Sequence, residues 1–577
     1  MSWLGAQVGS RPAVILPVNM AQKPADSFQR QEARLAPADT LRASTVVLAG
    51  LALLLTAFTL WWAGSGTLLA DFGGDNAVYF LTASHYSPYA APHAAAAEFA
   101  ANSIYPPLYP WLLALTGGGT SLAAAHRVTA LIIVAVGFAV YALARALGLT
   151  RAAAVAIVVL SALARISLLE GLELHSEHLY LALWLAAATL LADDTPRPRA
   201  VALAALAIGA AYLTRSFGLT MVASFVLWLL LRRPPRAWLA VVLVALPVVY
   251  LVVSHHGNAR YTQDFLELYQ RVGVVARLEA NLRAVLPSWQ NVFGDLDLAG
   301  FQPLLPVAVA LLASLGLATR LRRGCFDSLS VPAYGVLMII WPYPAEYVRM
   351  FYPLLPFALI YAVLGVRALV PGVAGRYSAA LPMLLSLAAV APFALLVQAR
   401  LLAPPADPLL GPYLRSGPWF DADPAAAFVM LGYQRAITEA LVDIGKPRKL
   451  PPKACLVSTK PAVAALYSGL SAEAYPPFAP GDDELREHLM NGRCRYLFIM
   501  MNASPKFPQQ YYPYQRLRPW LQVIEIFPNP LKHEQPAAML ARVREQALGT
   551  EDTDMEPAKA AGPGAKANMP NVAVPSD

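Results

Sequence analysis

Long apolar runs, separated by short polar segments, occupy most of the chain between residues 45 and 398. A helix that spans a membrane needs about 20 predominantly apolar residues. Runs of this length, or somewhat shorter, lie at 45–63, 122–144, 152–169, 178–192, 200–214, 219–231, 237–254, 302–319, 330–342, 351–366 and 378–398. The pattern predicts a polytopic α-helical membrane protein with about 11 transmembrane helices, of which 219–231 and 330–342 are the shortest.

Arginine residues recur between these runs at regular intervals. Short cytoplasmic loops of membrane proteins carry an excess of Lys and Arg. With a cytoplasmic N-terminus, every second loop should be basic, and each of these loops contains arginines: Arg145 and Arg151; Arg197 and Arg199; Arg232, Arg233 and Arg236; Arg320, Arg322 and Arg323; Arg367 and Arg376. The chain after residue 398 is therefore predicted to lie outside. A composition rich in Ala, Leu, Pro and Arg favours a bacterial chain, and hence the inner (cytoplasmic) membrane.

The hydropathy falls after residue 398, and helix-like and strand-like patterns alternate there. Ala425–Ile444 predicts a helix, whereas Ala454–Ser458 and Arg495–Met500 predict short strands, as in a modest α/β layer. The predicted organisation is a cytoplasmic segment at 1–44, a transmembrane domain at 45–398 with outer loops at 64–121 and 255–301, a periplasmic (extracytoplasmic) α/β domain at 399–545, and a disordered tail at 546–577.

The composition supports the membrane assignment. Hydrophobic residues make up 57% of the chain and charged residues only 14%, which is too little charge for a soluble protein of 577 residues. The net charge of +8 does not indicate nucleic-acid binding, because the basic residues lie beside apolar runs. Of three cysteines, Cys455 and Cys494 fall in the predicted outer domain, where a disulfide is permitted, and the sequence leaves their pairing open.

Two carboxylates follow the first apolar run. Asp71 and Asp75 lie in the first outer loop, and Tyr79 shares a helical face with Asp75 because the two are four residues apart. A carboxylate here can take a proton from an attacking group or hold a metal ion that does so. The alternative is that these acids only cap and solubilise an interfacial helix. The same loop contains Tyr105 and Trp111 among prolines, which is typical of an aromatic belt at the headgroup layer.

A second polar cluster lies between the third and fourth apolar runs: Arg165, Glu170, Glu173, His175, Ser176, Glu177 and His178. If this segment is one helix, the three glutamates fall within a narrow arc. Such residues are costly near a membrane and usually face a cavity or one another. Acids and histidines can bind a cation, but we interpret the cluster as a structural or substrate-shaping network and not as a dedicated metal site.

Two further arginines stand at predicted outer helix ends, against the positive-inside trend. Arg215 and Arg349 could each bind a lipid phosphate through two N–H groups. The alternative for Arg349 is a local ion pair with Glu346 at helical spacing.

In this order, the motifs resemble the GT-C superfamily of glycosyltransferases, in its bacterial branch related to protein O-mannosyltransferases and lipid A aminoarabinose transferases (the glycosyltransferase family 39-like group). The matching elements are Gly74-Asp75-Asn76-Ala77-Val78-Tyr79, Tyr105-Pro106-Pro107-Leu108-Tyr109-Pro110, Ser176-Glu177, Leu213-Thr214-Arg215, and Arg349 before Tyr352-Pro353-Leu354-Leu355-Pro356. The resemblance covers about 45–366. One departure is Asn76, where those branches often carry a glutamate, and this leaves the subfamily and the sugar open.

The resemblance implies a membrane glycosyltransferase of the cell envelope that takes a sugar from a polyprenyl-phosphate-linked donor. It would act outside the membrane, on a lipid, glycan or protein acceptor, by one inverting displacement. Asp75 is expected to be the base, with Asp71 as second candidate, and Arg215 and Arg349 to bind the donor phosphate. The substrate-site network is expected to comprise Tyr79, Glu173, Ser176, Glu177 and Tyr352. No nucleic acid, cofactor or dedicated metal is expected, although a divalent cation stays open.

A transporter or flippase for a lipid-linked or amphipathic substrate is the main alternative from another class. Transporters usually consist of related halves with broken helices at mid-membrane. The sequence has no detectable internal repeat, and its unusual charges gather at predicted helix ends.

Overall fold

The computed structural model describes residues 74–91, 94–103, 105–171, 173–254, 266, 269–270, 272–294, 303–370, 379–402, 424–451, 453–474, 482–500, 518–529 and 532–544. Asp71, the predicted N-terminal segment and first span, and the predicted C-terminal tail lie outside these residues. All of the described residues belong to one compact unit, Phe58–Asp577.

Most of the described residues are helical. In chain order the helices are α1 Gly74–Tyr86, α2 Ala94–Ala101, α3 Leu108–Leu115, α4 Leu122–Ala146, α5 Arg151–Leu163, α6 Arg165–Glu170, α7 Glu177–Leu190, α8 Pro198–Thr214, α9 Gly218–Arg232, α10 Ala237–Val253, α11 Val274–Phe293, α12 Leu304–Leu321, α13 Phe326–Ile340, α14 Tyr347–Phe351, α15 Leu355–Leu369, α16 Ala380–Leu402, α17 Pro424–Ile444, α18 Pro461–Ser468 and α19 Asp482–Asn491. Short 3-10 turns lie at Gly118–Thr120, Pro344–Glu346, Tyr352–Leu354 and Arg518–Trp520.

Three helical stretches of the described chain are long and apolar enough to cross a membrane: Leu122–Ala146, Leu304–Leu321 and Pro344–Leu369. Shorter apolar helices accompany them: Arg151–Leu163, Pro198–Thr214, Gly218–Arg232, Ala237–Val253, Phe326–Ile340 and Ala380–Leu396. Several of their large side chains are exposed, among them Trp238 and Leu246, as expected for lipid-facing helices. The chain is thus a multi-pass helical membrane protein, whereas the count of about 11 spans and the orientation stay predictions.

Two glycines bring α12 and α15 into close contact. A Cβ atom on Gly316 would lie 2.0 Å from the Tyr361 carbonyl oxygen, and one on Gly365 would lie 2.0 Å from that of Leu312. Only glycine allows backbones to approach so closely. At the C-terminal end of α12, Arg320 donates two hydrogen bonds of 2.6 Å to the buried Asp327 carboxylate. The Tyr361 hydroxyl of α15 donates a hydrogen bond of 2.8 Å to the same carboxylate. The glycine contacts and this bond hold α15, which follows the segment that carries Arg349.

A mixed five-stranded sheet forms the later part of the chain. Its strands are β1 Cys455–Ser458, β2 Ser471–Ala474, β3 Tyr496–Met500, β4 Leu521–Asn529 and β5 Lys532–Val543, in the order β2-β1-β3-β5-β4. Strand β1 pairs in parallel with β2 and β3, and β5 pairs antiparallel with β3 and β4. Cys455 and Cys494 form a disulfide with a Cα–Cα distance of 4.6 Å, which joins β1 to the residues before β3.

The sheet layer packs directly on the helices of the first loop. One buried cluster contains Ala77 and Leu81 of α1 together with Ala464 of α18 and Phe498 of β3. An ion pair of 2.5 Å between Arg493 and Glu98 joins the same two parts at the surface. Helix α1 is therefore held between the apolar helices and the sheet layer, and this fixes the side chains at its N-terminal end.

Candidate functional site

Asp75 lies in the first turn of α1, where the partial positive charge of a helix N-terminus favours an anion. Its Oδ1 accepts a hydrogen bond of 2.5 Å from the Tyr105 hydroxyl, and its Oδ2 lies 2.9 Å from Nη1 of Arg349. The carboxylate keeps 26% of its side-chain surface exposed. Asp75 is therefore fixed on both oxygens but still open to an incoming group.

Two guanidinium groups meet on one carboxylate next to Asp75. Glu177, at the start of α7, accepts a hydrogen bond from Nε of Arg349, and its Oε2 lies 2.5 Å from Nη1 of Arg215. Arg349 also lies 3.8 Å from the Glu346 carboxylate, at the spacing expected from the sequence. The buried Glu177 side chain (2% exposed) thus connects the cations, whose own side chains are 18–19% exposed.

The segment from Glu170 to Glu177 is not one helix, so the condition under which the three glutamates would share an arc is not met. Helix α6 ends at Glu170, and α7 begins at Glu177. Gly171 disfavours helix between them. Contacts with different partners decide the outcome: Glu170 bonds His175, Glu173 accepts from Asn76, and Glu177 binds the arginines.

The apolar run predicted at 152–169 is also interrupted. Helix α5 ends at Leu163, and Ala164 has an extended conformation (ψ 142°). The break turns Arg165 inward, where its Nη1 donates a hydrogen bond of 2.7 Å to Asn291 and its guanidinium lies 5.7 Å from the centre of the Phe393 ring. A buried cation needs such partners, and a straight helix would not reach them.

The remaining predicted network residues lie around this centre. The Tyr79 hydroxyl is 2.9 Å from Ser176 Oγ, which in turn is 3.4 Å from Nη1 of Arg215. The Tyr352 hydroxyl is 2.9 Å from Nδ1 of His178. Six predicted site residues therefore lie in one connected set of polar contacts: Asp75, Tyr79, Ser176, Glu177, Arg215 and Arg349. Tyr352 and Glu173 have other partners, His178 and Asn76, and Asp71 lies outside the described residues.

A cation could be held at one point of this set. Ligand atoms of Glu170, His175 and Glu177 all lie within 4.8 Å of one another, and all three residues are buried. Carboxylate and imidazole groups suit several divalent metals. The same atoms are already used inside the protein, since His175 Nδ1 lies 2.7 Å from Glu170 and Glu177 binds two guanidiniums.

The charges around Asp75 determine its protonation. Burial acts to raise its pKa, but the positive charges of Arg349 and His175 and the hydrogen bond from Tyr105 outweigh burial. The pKa of Asp75 therefore lies below the ordinary value of an aspartate, and the group is a carboxylate anion near neutral pH.

Sequence reasoning missed the role of Tyr105. It assigned Tyr105 and its neighbours to an aromatic belt, but Tyr105 bonds Asp75, and Tyr109 is fully buried with its hydroxyl 2.8 Å from Thr129. The belt interpretation did not foresee these two hydrogen bonds, which the hydroxyl groups make with partners inside the protein. Tyr105 lies 30 residues after Asp75, and no spacing rule links positions so far apart.

Comparison with known proteins yields structures of similar fold. No family model and no curated protein sequence matches the chain. The oligosaccharyltransferase AglB from Archaeoglobus fulgidus, solved with an inhibitory peptide and a dolichol-phosphate, is 13% identical over 79% of this chain and 69% of its own, with a TM-score of 0.48. ArnT from Cupriavidus metallidurans, bound to undecaprenyl phosphate, is 14% identical over 87% of this chain and 99% of its own, with a TM-score of 0.44.

A third similar structure is the mycobacterial arabinofuranosyltransferase AftD, which is 17% identical over 89% of this chain and 40% of its own, with a TM-score of 0.46. All three are glycosyltransferases of the GT-C superfamily, the group that the sequence motifs resemble. At these identities and TM-scores the likeness is weak, so the function is inferred below from the residues of the site.

Proposed function

We propose that the chain is an integral-membrane glycosyltransferase that transfers a sugar from a polyprenyl-phosphate-linked donor to an acceptor. The observation that supports this most directly is the contact of Asp75 with Arg349, which shares the buried Glu177 with Arg215. A base therefore lies beside two cations that suit a phosphate leaving group. Glycosyl transfer to a nucleophile requires these two functions side by side.

The proposed reaction is one displacement at the anomeric carbon with inversion. The acceptor hydroxyl or amide attacks that carbon, and its proton passes to Asp75. The bond between the anomeric carbon and the phosphate oxygen breaks at the same time, and the electron pair leaves with the polyprenyl phosphate. Arg215 and Arg349 stabilise the charge that grows on this phosphate, as preorganised cations do in a site of low dielectric constant.

The proposed donor follows from the chemistry of the cations. A guanidinium presents paired N–H groups that match phosphate oxygens. Arg215 directly follows the apolar helix Pro198–Thr214, and Arg349 lies within the apolar stretch Pro344–Leu369. A site at the ends of apolar helices suits a phosphate that carries a prenyl chain better than a soluble nucleotide. The acceptor, whether lipid, glycan or protein, and the sugar are not specified by these residues.

The proposed location is the outer face of a bacterial inner membrane, with a cytoplasmic N-terminus. The arginine pattern of the loops supports this orientation. The sheet layer that packs on α1 would then lie in the periplasm, where the Cys455–Cys494 disulfide is chemically favoured.

The transporter alternative has less support in the described part of the chain. The charged groups of the site lie at helix ends: Asp75 and Glu177 in the first turns of α1 and α7, and Arg215 directly after α8. A transport pathway would be expected to carry its charges near the middle of the membrane.

Mass spectrometry of membrane lipids tests the proposal. Cells that lack the protein are expected to accumulate a polyprenyl-phosphate-linked sugar, and complementation with the wild-type chain is expected to clear it. The mass of the lipid would identify the sugar class. An unchanged lipid pool in both strains would contradict the donor assignment and favour transport.

Tyr105→Phe is expected to lower the transfer rate about tenfold, because the hydrogen bond to the Asp75 anion is lost. The acid limb of the pH–rate profile should also move to higher pH. The sign follows from Asp75 acting as a carboxylate: without this hydrogen bond its pKa rises, so the base is protonated at a higher pH than in the wild type. The measurement is the transfer rate across the acidic pH range.

Tyr86→Phe is the matched control, because Tyr86 lies on α1, the helix that carries Asp75, and is 44% exposed. Its profile should coincide with that of the wild type. If Tyr105→Phe also left the acid limb in place, the hydrogen bond would not tune the base.

A further inference from the structure

Glu177 is a buried acid that takes no part in the proton transfer of the proposed reaction. Its side chain is 2% exposed, it opens α7, and it binds Arg215 and Arg349 together. Gathering two cations onto one internal anion avoids the large cost of unpaired buried charges. Glu177 therefore accepts a hydrogen bond from Arg349 and forms an ion pair with Arg215, and a donor phosphate would need the same two cations.

The exposures of the three side chains show from which side a phosphate can reach the cations. Arg215 and Arg349 are 19% and 18% exposed, whereas Glu177 is almost completely covered. The carboxylate thus approaches the guanidiniums from the protein interior, and a phosphate would approach them from the open side. Both anions interact with the same two positive charges and repel each other, so each weakens the binding of the other.

The competition differs between donor and product. A sugar linked through phosphate to a prenyl chain is a phosphodiester with one negative charge. The released polyprenyl phosphate is a monoester that carries about −1.5 to −2 charges near pH 7. Without a competing anion, the two arginines would hold the product more tightly than the donor and slow its release.

We propose that Glu177 is a positioning residue that competes with the product phosphate for Arg215 and Arg349 and thereby promotes its release. This inference rests on the proposed function, because it concerns the same phosphate. The carboxylate holds the two guanidiniums in place before the donor binds. After the transfer it repels the more highly charged product and again neutralises the two guanidiniums.

The test is the binding of undecaprenyl phosphate to the purified full-length protein in detergent, by titration calorimetry. Glu177→Gln keeps the size and a hydrogen-bond acceptor but removes the charge. We expect this variant to bind the phosphate monoester about tenfold more tightly than the wild type does, because the negative charge that opposes the phosphate is removed.

A second probe separates competition from a general structural effect. The methyl ester of undecaprenyl phosphate is a diester with one charge, and Glu177→Gln should tighten its binding much less than that of the monoester. A merely structural role would change both affinities by a similar factor. Glu439→Gln, at an exposed pair with Arg435, is the control and should leave both unchanged.

Each outcome has a distinct meaning. If a folded wild-type protein fails to bind undecaprenyl phosphate, the proposed donor is wrong. If the wild type binds it and Glu177→Gln binds the monoester equally or more weakly, the competition is wrong. If the variant does not fold, the wild type alone decides: near-equal affinities for the monoester and the diester support the competition, whereas a preference of tenfold or more for the monoester contradicts it.

Discussion

Replacing Asp75 with Asn is expected to lower the rate of sugar transfer about 10³-fold, which is the range for loss of a general base. Asparagine has nearly the same shape and can still accept the hydrogen bond from Tyr105. It cannot take a proton from the acceptor. It also frees one N–H of Arg349 from a carboxylate, so binding of polyprenyl phosphate should be retained or strengthened.

The measurement is the single-turnover transfer rate of purified protein, together with the affinity for undecaprenyl phosphate. Asp71→Asn is the control, since Asp71 is the second candidate base in the same loop. Loss of transfer in Asp71→Asn with a near-normal Asp75→Asn would assign the base to Asp71 instead. Loss of lipid binding in Asp75→Asn would show that the residue supports the fold or the donor and not the proton transfer.

Replacing Arg349 with Gln is expected to lower kcat/KM for the donor by about 10²–10³-fold, which is the range for removal of one group that stabilises charge developing in a transition state. Arg349 touches three carboxylates: Asp75, Glu177 and Glu346. Its loss removes a proposed phosphate ligand and the cation that contacts Asp75. The affinity for undecaprenyl phosphate should fall together with the transfer rate.

Two comparisons make this result specific. Arg349→Lys keeps the charge, but its N–H groups lie on a single nitrogen and cannot reproduce the separate Nε and Nη1 contacts with Glu177 and Asp75, so it should recover only a small part of the activity. Arg215→Gln should have a smaller effect, because the only carboxylate pair found for Arg215 in the described chain is with Glu177. Normal donor binding in a folded Arg349→Gln protein would contradict the phosphate role, and thermal unfolding in detergent would verify folding.

The first-loop helix could be foreseen only in part. The spacing of Asp75 and Tyr79 predicts a shared helical face, and both lie on α1. What each side chain bonds to could not be foreseen, because Tyr105, Ser176 and Arg349 come from distant positions in the chain. Local spacing describes one helix, whereas these bonds depend on how several helices and the sheet layer pack together.

The polar segment around Glu173 shows why a local rule fails. Helical periodicity alone groups Glu170, Glu173 and Glu177, but each carboxylate has a partner on a different part of the protein. The energy of pairing a buried charge exceeds the small preference of a few residues for helix. The helix is therefore interrupted between Glu170 and Glu177, and each glutamate lies beside its own partner.

By itself, the sequence determined the helical membrane character, because apolar runs must leave water whatever their order in space. It also located the strands at Cys455–Ser458 and Tyr496–Met500, whose local apolar pattern is strong. Only the tertiary structure decided that Glu177 joins Arg215 to Arg349, and that Tyr105 and Arg349 hold Asp75. Hydrophobic burial is encoded residue by residue, whereas the partner of a buried charge is set by the packing of elements far apart in the chain.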